Sequence, residues 1–153
     1  MSIQTDLAQL LDEQEEQILP DFKAIDSATI IYADGNWTLK DVIAHLTVWN
    51  EQGLNALLAS LIGRSYPVMS EDLDAFNNRT VQERRNLSEE EVYDSWARAR
   101  NNIKTTVSAM SSGQLETEFQ LPWGQKGTAV EVVKGLIGHA DEHYEDVMDV
   151  INQ

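Results

Sequence analysis

The sequence predicts an all-α protein, a four-helix bundle with a short extra helix between the second and third long helices. Three observations predict it. Four long segments carry apolar residues at helical spacing, and no segment of useful length alternates as a strand does. Gly totals 8 and Pro 3 in 153 residues, which leaves room for uninterrupted helices. The second, third and fourth long segments each open on a Ser or Thr followed three residues later by Asp or Glu, the mark of a helix N-terminus. The length favours one domain, residues 1–153, around one core.

The first helix is expected from about Thr5 to Leu19. Leu7, Leu10, Leu11, Gln14, Ile18 and Phe22 fall near one face, and Asp12, Glu13, Glu15 and Glu16 lie on the other. Pro20 should end or kink it, because proline lacks the N–H and its ring crowds the preceding turn. A loop follows to Trp37, with Ala33-Asp34-Gly35-Asn36 as a turn. The second helix starts at Thr38, with Thr38-x-x-Asp41 as its capping box, and runs to Ile62 before the stop at Gly63. It is apolar on most sides, so it should be central. Ser65 to Ser70 reads as loop and Glu71 to Arg85 as a shorter, polar helix with Leu73, Phe76 and Val81 as its apolar residues. The third long helix starts at Ser88, with Ser88-x-x-Glu91 as its box. Its buried face carries Val92, Trp96, Ala99, Ile103, Val107 and Met110, and Gly113 should close it. Residues 114–126 read as irregular, with a turn at Pro122-Trp123-Gly124 and a weakly signalled hairpin. The last helix starts at Thr128, with Thr128-x-x-Glu131 as its box, and its inward stripe is Val132, Leu136, His139, His143, Val147 and Val150.

That stripe holds the most informative residues. The chain has three histidines, and two of them, four residues apart on one helix, replace apolar residues on a face expected to point inward. Residues four apart share a helix face. The third, His45, lies in the second helix, so three imidazoles can converge if the two helices are neighbours. Three neutral imidazoles suit a divalent transition metal and leave a position for water or substrate. Asp41, Glu142 and Asp146 are the carboxylates placed to accept an imidazole N–H and fix its tautomer. The competing reading of Asp41 is a helix cap, and of Asp146 an exposed charge. His139-Ala140-Asp141-Glu142-His143 also fits H-x-x-E-H, in which Glu142 would be a general base, but so short a pattern arises easily by chance in an acidic helix. Trp37, Trp49, Trp96 and Trp123 are candidates either for pocket walls or for the core.

Charge bounds the partners. The net charge is -15, which disfavours nucleic acid and anionic membranes. Seven of the 11 basic residues fall between Arg64 and Lys104, so an anionic ligand would meet the middle of the chain before either end. Solvated helix faces with i,i+4 pairs explain the same cluster. Without cysteine there are no disulfides, thiolate ligands or cysteine nucleophile. The N-terminal residues lack the basic and apolar regions of a secretory leader, so a cytoplasmic protein is expected.

The segment Trp37-Thr38-Leu39-Lys40-Asp41-Val42-Ile43-Ala44-His45-Leu46-Thr47-Val48-Trp49 resembles the second-helix signature of the DinB-like superfamily of four-helix-bundle metalloproteins. Gly138-His139-Ala140-Asp141-Glu142-His143-Tyr144 resembles the histidine pair of that superfamily's last helix. Asp72-Leu73-Asp74-Ala75-Phe76-Asn77, followed by Arg84-Arg85, is similar to the middle segment of its ClbS/DfsB and maleylpyruvate-isomerase-like branches. The resemblance implies a DinB-like bundle, with His45, His139 and His143 as ligands of zinc or nickel. It also implies homodimers in many members, and transferases that use low-molecular-weight thiols.

The expected function is therefore a metal-dependent small-molecule enzyme, a thiol S-transferase or a hydrolase, whose thiol would come from a co-substrate. Trp49, Trp123, Arg79, Arg84 and Arg85 are the candidate substrate contacts, the arginines for carboxylates. Two rivals stand beside it: a stress-response or ligand-sequestering module of the same fold, and a plain bundle with structural histidines.

Overall fold

In a computed structural model, residues 2–67 and 69–153 are described. Helix α1 spans Ile3–Lys23, strand β1 Ile30–Tyr32, strand β2 Trp37–Thr38, and helix α2 Leu39–Leu61. They are followed by α3 (Leu73–Arg84), α4 (Glu89–Ala109), α5 (Ser112–Glu116), β3 (Phe119–Gln120), β4 (Lys126–Gly127) and α6 (Ala129–Ile151). The four long helices are α1, α2, α4 and α6, and α3 is the short extra helix. Val68, inside the loop expected between Ser65 and Ser70, lies outside the described residues.

The principal contacts put α2 against α4 and α6, and put α1 against the same two helices. The cyclic order is thus α1, α4, α2, α6, with α1 and α2 on one diagonal and α4 and α6 on the other. Consecutive helices on a diagonal need a connection across the end of the bundle. Both connections carry a small antiparallel hairpin, β1–β2 in the first and β3–β4 in the second. Helices α2 and α4 run the same way. Lys40 at the start of α2 reaches the carbonyl of Leu87 just before α4, and the ends of both helices meet around Ser60 and Gln114. The chain must return between them, and α3 is the return segment.

Local chemistry sets the ends. Thr38 and Asp41 form a reciprocal capping box on α2, as do Ser88 and Glu91 on α4. On α6 only the Thr128 half of the expected box forms. Gly63 follows α2 with φ +70°, where a side chain would be strained.

Several expectations are corrected. Pro20 does not end α1, which runs through it to Lys23. A proline there forfeits one backbone bond, whereas Ile18 and Phe22 are both buried and hold the final turn against the core. The loop expected before Trp37 contains β1, a 3-10 turn at Asp34–Asn36, and β2. Gly113 does not close α4. The chain turns extended at Met110, and Ser111 with Gln114 caps the new helix α5, which contains Gly113.

The core has two apolar parts. One gathers Leu7, Leu11, Leu57, Ile103, Val107 and Val132, the other Ile18, Phe22, Val42, Ile43, Trp96 and Val147. Helix α2 is buried along most of its length, as its sequence predicts. It meets α6 closely at Gly53, where an added Cβ would lie 2.8 Å from Leu136. Among the described residues no helix is long and apolar enough to cross a membrane.

Candidate metal centre

The contact between α2 and α6 brings the three histidines together. His45 is held near the start of α2, which its capping box fixes, and His139 and His143 follow one another on α6. The Nε2 atoms of His45 and His139 are 3.1 Å apart, and those of His139 and His143 are also 3.1 Å apart. The three side chains together can offer nitrogen atoms all within 4.8 Å of one another. Ligands at 2.0–2.1 Å around a tetrahedral ion lie about 3.3 Å apart, so this spacing fits one small divalent cation.

His45 is buried, while His139 and His143 are half-buried at the edge of the interior. Burial pushes the His45 imidazole down to about 2, with His139 and His143 adding to the effect. Burial, and then His143, pushes His139 down to about 4. Burial also lowers His143, against the opposing pull of Asp146 and Glu142. All three are therefore neutral near pH 7 and keep a lone pair for a ligand bond.

Tyr32 decides where that lone pair sits on His143. Its hydroxyl donates to Asp146 Oδ2 at 2.6 Å and lies 2.7 Å from His143 Nδ1. The Tyr32 proton is committed to the carboxylate, so His143 Nδ1–H donates to the phenol oxygen. That assignment, made from the network, leaves the Nε2 lone pair facing His139. Burial and the bond to Asp146 raise the Tyr32 pKa well above its ordinary value, which keeps the relay protonated. Tyr32 comes from the first hairpin and has no motif around it, so sequence reasoning missed it. Its one signal is an aromatic residue with a hydroxyl in a short apolar run.

The other expected site residues divide. Asp41 caps α2 and lies 3.5 Å from Arg85 Nε, and no hydrogen bond joins it to His45 among the described residues. His45 Nδ1 has no partner among them either. Glu142 lines the cleft over the histidines, together with Trp37, Asn77, Asn78, Gln82 and Arg85. Arg79 is held by Glu71 and Glu83, and Arg84 by Glu51, so neither lines the cleft. Arg85 reaches it, but its guanidinium donates to the Gly35 carbonyl at 2.9 Å. Of the tryptophans, Trp37 lies 5.0 Å from His45 and Trp49 lies 6.5 Å from His139, measured between ring centroids. Trp123 lines a second hollow that ends at His139, and Trp96 is core.

Residues 6–147 match the sequence model of the DinB superfamily. Two solved structures are similar in fold. One is a mycothiol-dependent maleylpyruvate isomerase, with a TM-score of 0.77 and 15% identity over 95% of this chain. This chain covers only 60% of that protein. The other is YfiT from Bacillus subtilis, described as a probable metal-dependent hydrolase with an unusual four-helix bundle topology. Its TM-score is 0.78 at 14% identity, over 97% of this chain and 87% of that one. At such identities the likeness shows the fold alone. No curated protein matches the sequence.

Proposed function

The chain belongs to the DinB superfamily, and on that premise we propose that it is a metal-dependent enzyme acting on a small molecule. His45, His139 and His143 would hold one divalent ion through Nε2, and an all-imidazole donor set suits zinc or nickel. When bound, the ion supplies Lewis-acid chemistry, lowering the pKa of a water or thiol at its remaining position. The observation that carries this reading is the convergence of three neutral Nε2 atoms beneath a cleft of about 690 Å³.

The chain's own residues have separable tasks. Tyr32 and Asp146 orient His143, and Trp37 packs over His45 and shields it. Glu142, exposed on the cleft wall, is the carboxylate placed to take a proton from a bound nucleophile. With no cysteine in the chain, a thiol nucleophile would be a co-substrate. The isomerase's dependence on mycothiol speaks for that route, and the description of YfiT as a hydrolase speaks for water. Turnover of a model electrophile with and without added thiol separates them.

The test is metal content. After loading with zinc or nickel and desalting, the protein should retain about one equivalent, and His139→Ala should retain almost none. Retention below about a tenth of an equivalent by the unaltered protein overturns the proposal.

A further inference from the structure

The cleft over the histidines is one of two hollows that meet at the same residues. The larger, of about 690 Å³, is polar and lies beneath Trp37 and Arg85. The smaller, of about 290 Å³, is walled by Trp49, Trp123, Leu73 and Leu136. Asn77 and His139 line both. The reactive end of the histidine cluster therefore stands at the junction of a polar lobe and an apolar one.

The apolar lobe is built into the fold. Gly135 lies on α6 one turn before His139, and a Cβ there would come within 2.9 Å of the Trp123 ring. A glycine at that position lets Trp123, from the second hairpin, approach α6 this closely. On the opposite wall Trp49 is fixed by its indole N–H, which donates to Asn77 Oδ1 at 2.9 Å. That bond uses the Asn77 carbonyl and leaves its NH2 group as a donor at the junction. Leu73 completes the lobe and is 47% exposed, an apolar side chain with no core to cover it.

The polar lobe has a definite charge. Asp34, Asp74 and Glu142 line it, and none of the three has an ion-pair or hydrogen-bond partner for its carboxylate among the described residues. Arg85 is the one cation in the lining, and Asp41 lies beside its guanidinium. With no ion on the histidines this lining repels anions, and its amides, Asn77, Asn78 and Gln82, suit hydroxyl or amine groups.

We infer that the substrate is a small amphipathic molecule that spans both lobes. Its apolar group, aromatic or branched aliphatic, occupies the lobe between Trp49 and Trp123. Its polar part, hydroxyl- or amine-bearing, occupies the lobe beneath Trp37, and the reacting bond lies between them at His139. The placement of the reacting bond rests on the metal-dependent reading above, whereas the two-lobed binding does not.

Binding is measured on zinc-loaded and metal-free protein; the apolar lobe is read in both, and the charge comparison in the metal-free form, because a bound cation would itself capture a carboxylate. The probes are 2-(2-naphthyl)ethylamine, 2-(2-naphthyl)ethanol and 2-naphthylacetate, which share one ring system and differ in charge. The readout is a tryptophan-fluorescence titration with calorimetry. In the metal-free protein the amine and the alcohol should bind at least about tenfold more tightly than the acetate, because only the acetate is repelled by the acidic lining. Leu73→Gln and Trp123→Ala should each weaken the amine, about threefold or more, as apolar contact is lost. Leu73 is exposed, so the first variant leaves the core intact. Equal or tighter binding of the acetate by the metal-free protein overturns the charge assigned to the polar lobe. Binding unchanged in both variants places the probes elsewhere and overturns the apolar lobe. If metal retention fails while these affinities hold, the metal-dependent reading fails and the two-lobed site stands.

Discussion

A short stretch of α6, from Ile137 to His143, borders two groups of inward polar side chains, and they behave as opposites. On one side of it His45, His139 and His143 converge on an open cleft. On the other, Gln14 donates both to the Ile137 carbonyl and to Asp141, and its own carbonyl accepts from Arg100 at 2.7 Å. Arg100 is fully buried, and its guanidinium lies 4.5 Å from the centre of the Trp96 ring. No cleft over the histidines includes it. Burial pushes its pKa down to about 10, against the attraction of Glu15 and Asp141, so it stays charged at neutral pH. Both groups interrupt an apolar helix face. In one, three imidazole nitrogens converge under an open cleft, an arrangement that suits a cation. In the other, a charge is enclosed with one acceptor, Gln14 Oε1, and an aromatic face, which holds the helices in place. A polar residue on an apolar stripe is thus no sign of function until its access to solvent and the direction of its lone pairs are known.

The comparison can be broken at either end. The largest effect is expected from His139→Ala, which should weaken zinc binding more than about 100-fold, beyond the loss expected when only a supporting hydrogen bond is removed. In a competition titration, retained affinity would show that the cluster is not a ligand set. Next comes Arg100→Ala, expected to destabilise by about 3–5 kcal/mol in chemical denaturation, since it empties a buried site and leaves Gln14 Oε1 without its donor. It should leave zinc affinity within about threefold of the unaltered value, because Arg100 does not line the metal cleft.

Tyr32→Phe sharpens the contrast at smaller scale. Without its hydroxyl, His143 loses the acceptor that fixes its tautomer, and zinc affinity should fall about 10–100-fold with little change in stability. An unchanged affinity would remove Tyr32 and Asp146 from the site.

The pH dependence of the metal-free protein separates the two groups again. His45 and His139 have folded pKa values of about 2 and 4, below the 6.5 of the unfolded chain. Between those limits the unfolded chain binds protons that the folded one does not. Their contribution is therefore complete above pH 6.5 and is lost as the pH falls toward 4, by at most about 1.4 kcal/mol per pH unit for each histidine. Arg100 adds no slope there, since it is protonated in both states. Thermal unfolding of the metal-free protein at pH 7 and pH 5 should show the loss, and His45→Asn should reduce it. An identical pH slope in His45→Asn would count against the burial of neutral His45.

Much of this was legible in the sequence. Helical spacing located the four long helices and the short one, because the period of 3.6 survives in any amphipathic segment. The capping pairs Thr38/Asp41 and Ser88/Glu91 marked helix starts within a residue. His45, His139 and His143 stood out as a set because so few histidines occur and two share a face. By contrast, Arg100 read as one more basic residue of a solvated middle segment, and it is the core's one fully enclosed charge among the described residues. Arg79 and Arg84 read as ligand contacts, and the structure spends them on Glu71, Glu83 and Glu51. Helix period tells which residues share a face, not which partner that face meets.

The sequence by itself determined the long helices and the positions of the histidines on them, since both depend on short-range spacing along one helix. The tertiary structure alone decided that α2 and α6 are neighbours, through the diagonal crossings that the two hairpins make. The same crossings bring Tyr32 and Trp37 from one hairpin and Trp123 from the other to the walls around the histidines. Such contacts join residues far apart in the chain, and they are fixed by which faces bury one another rather than by any local pattern.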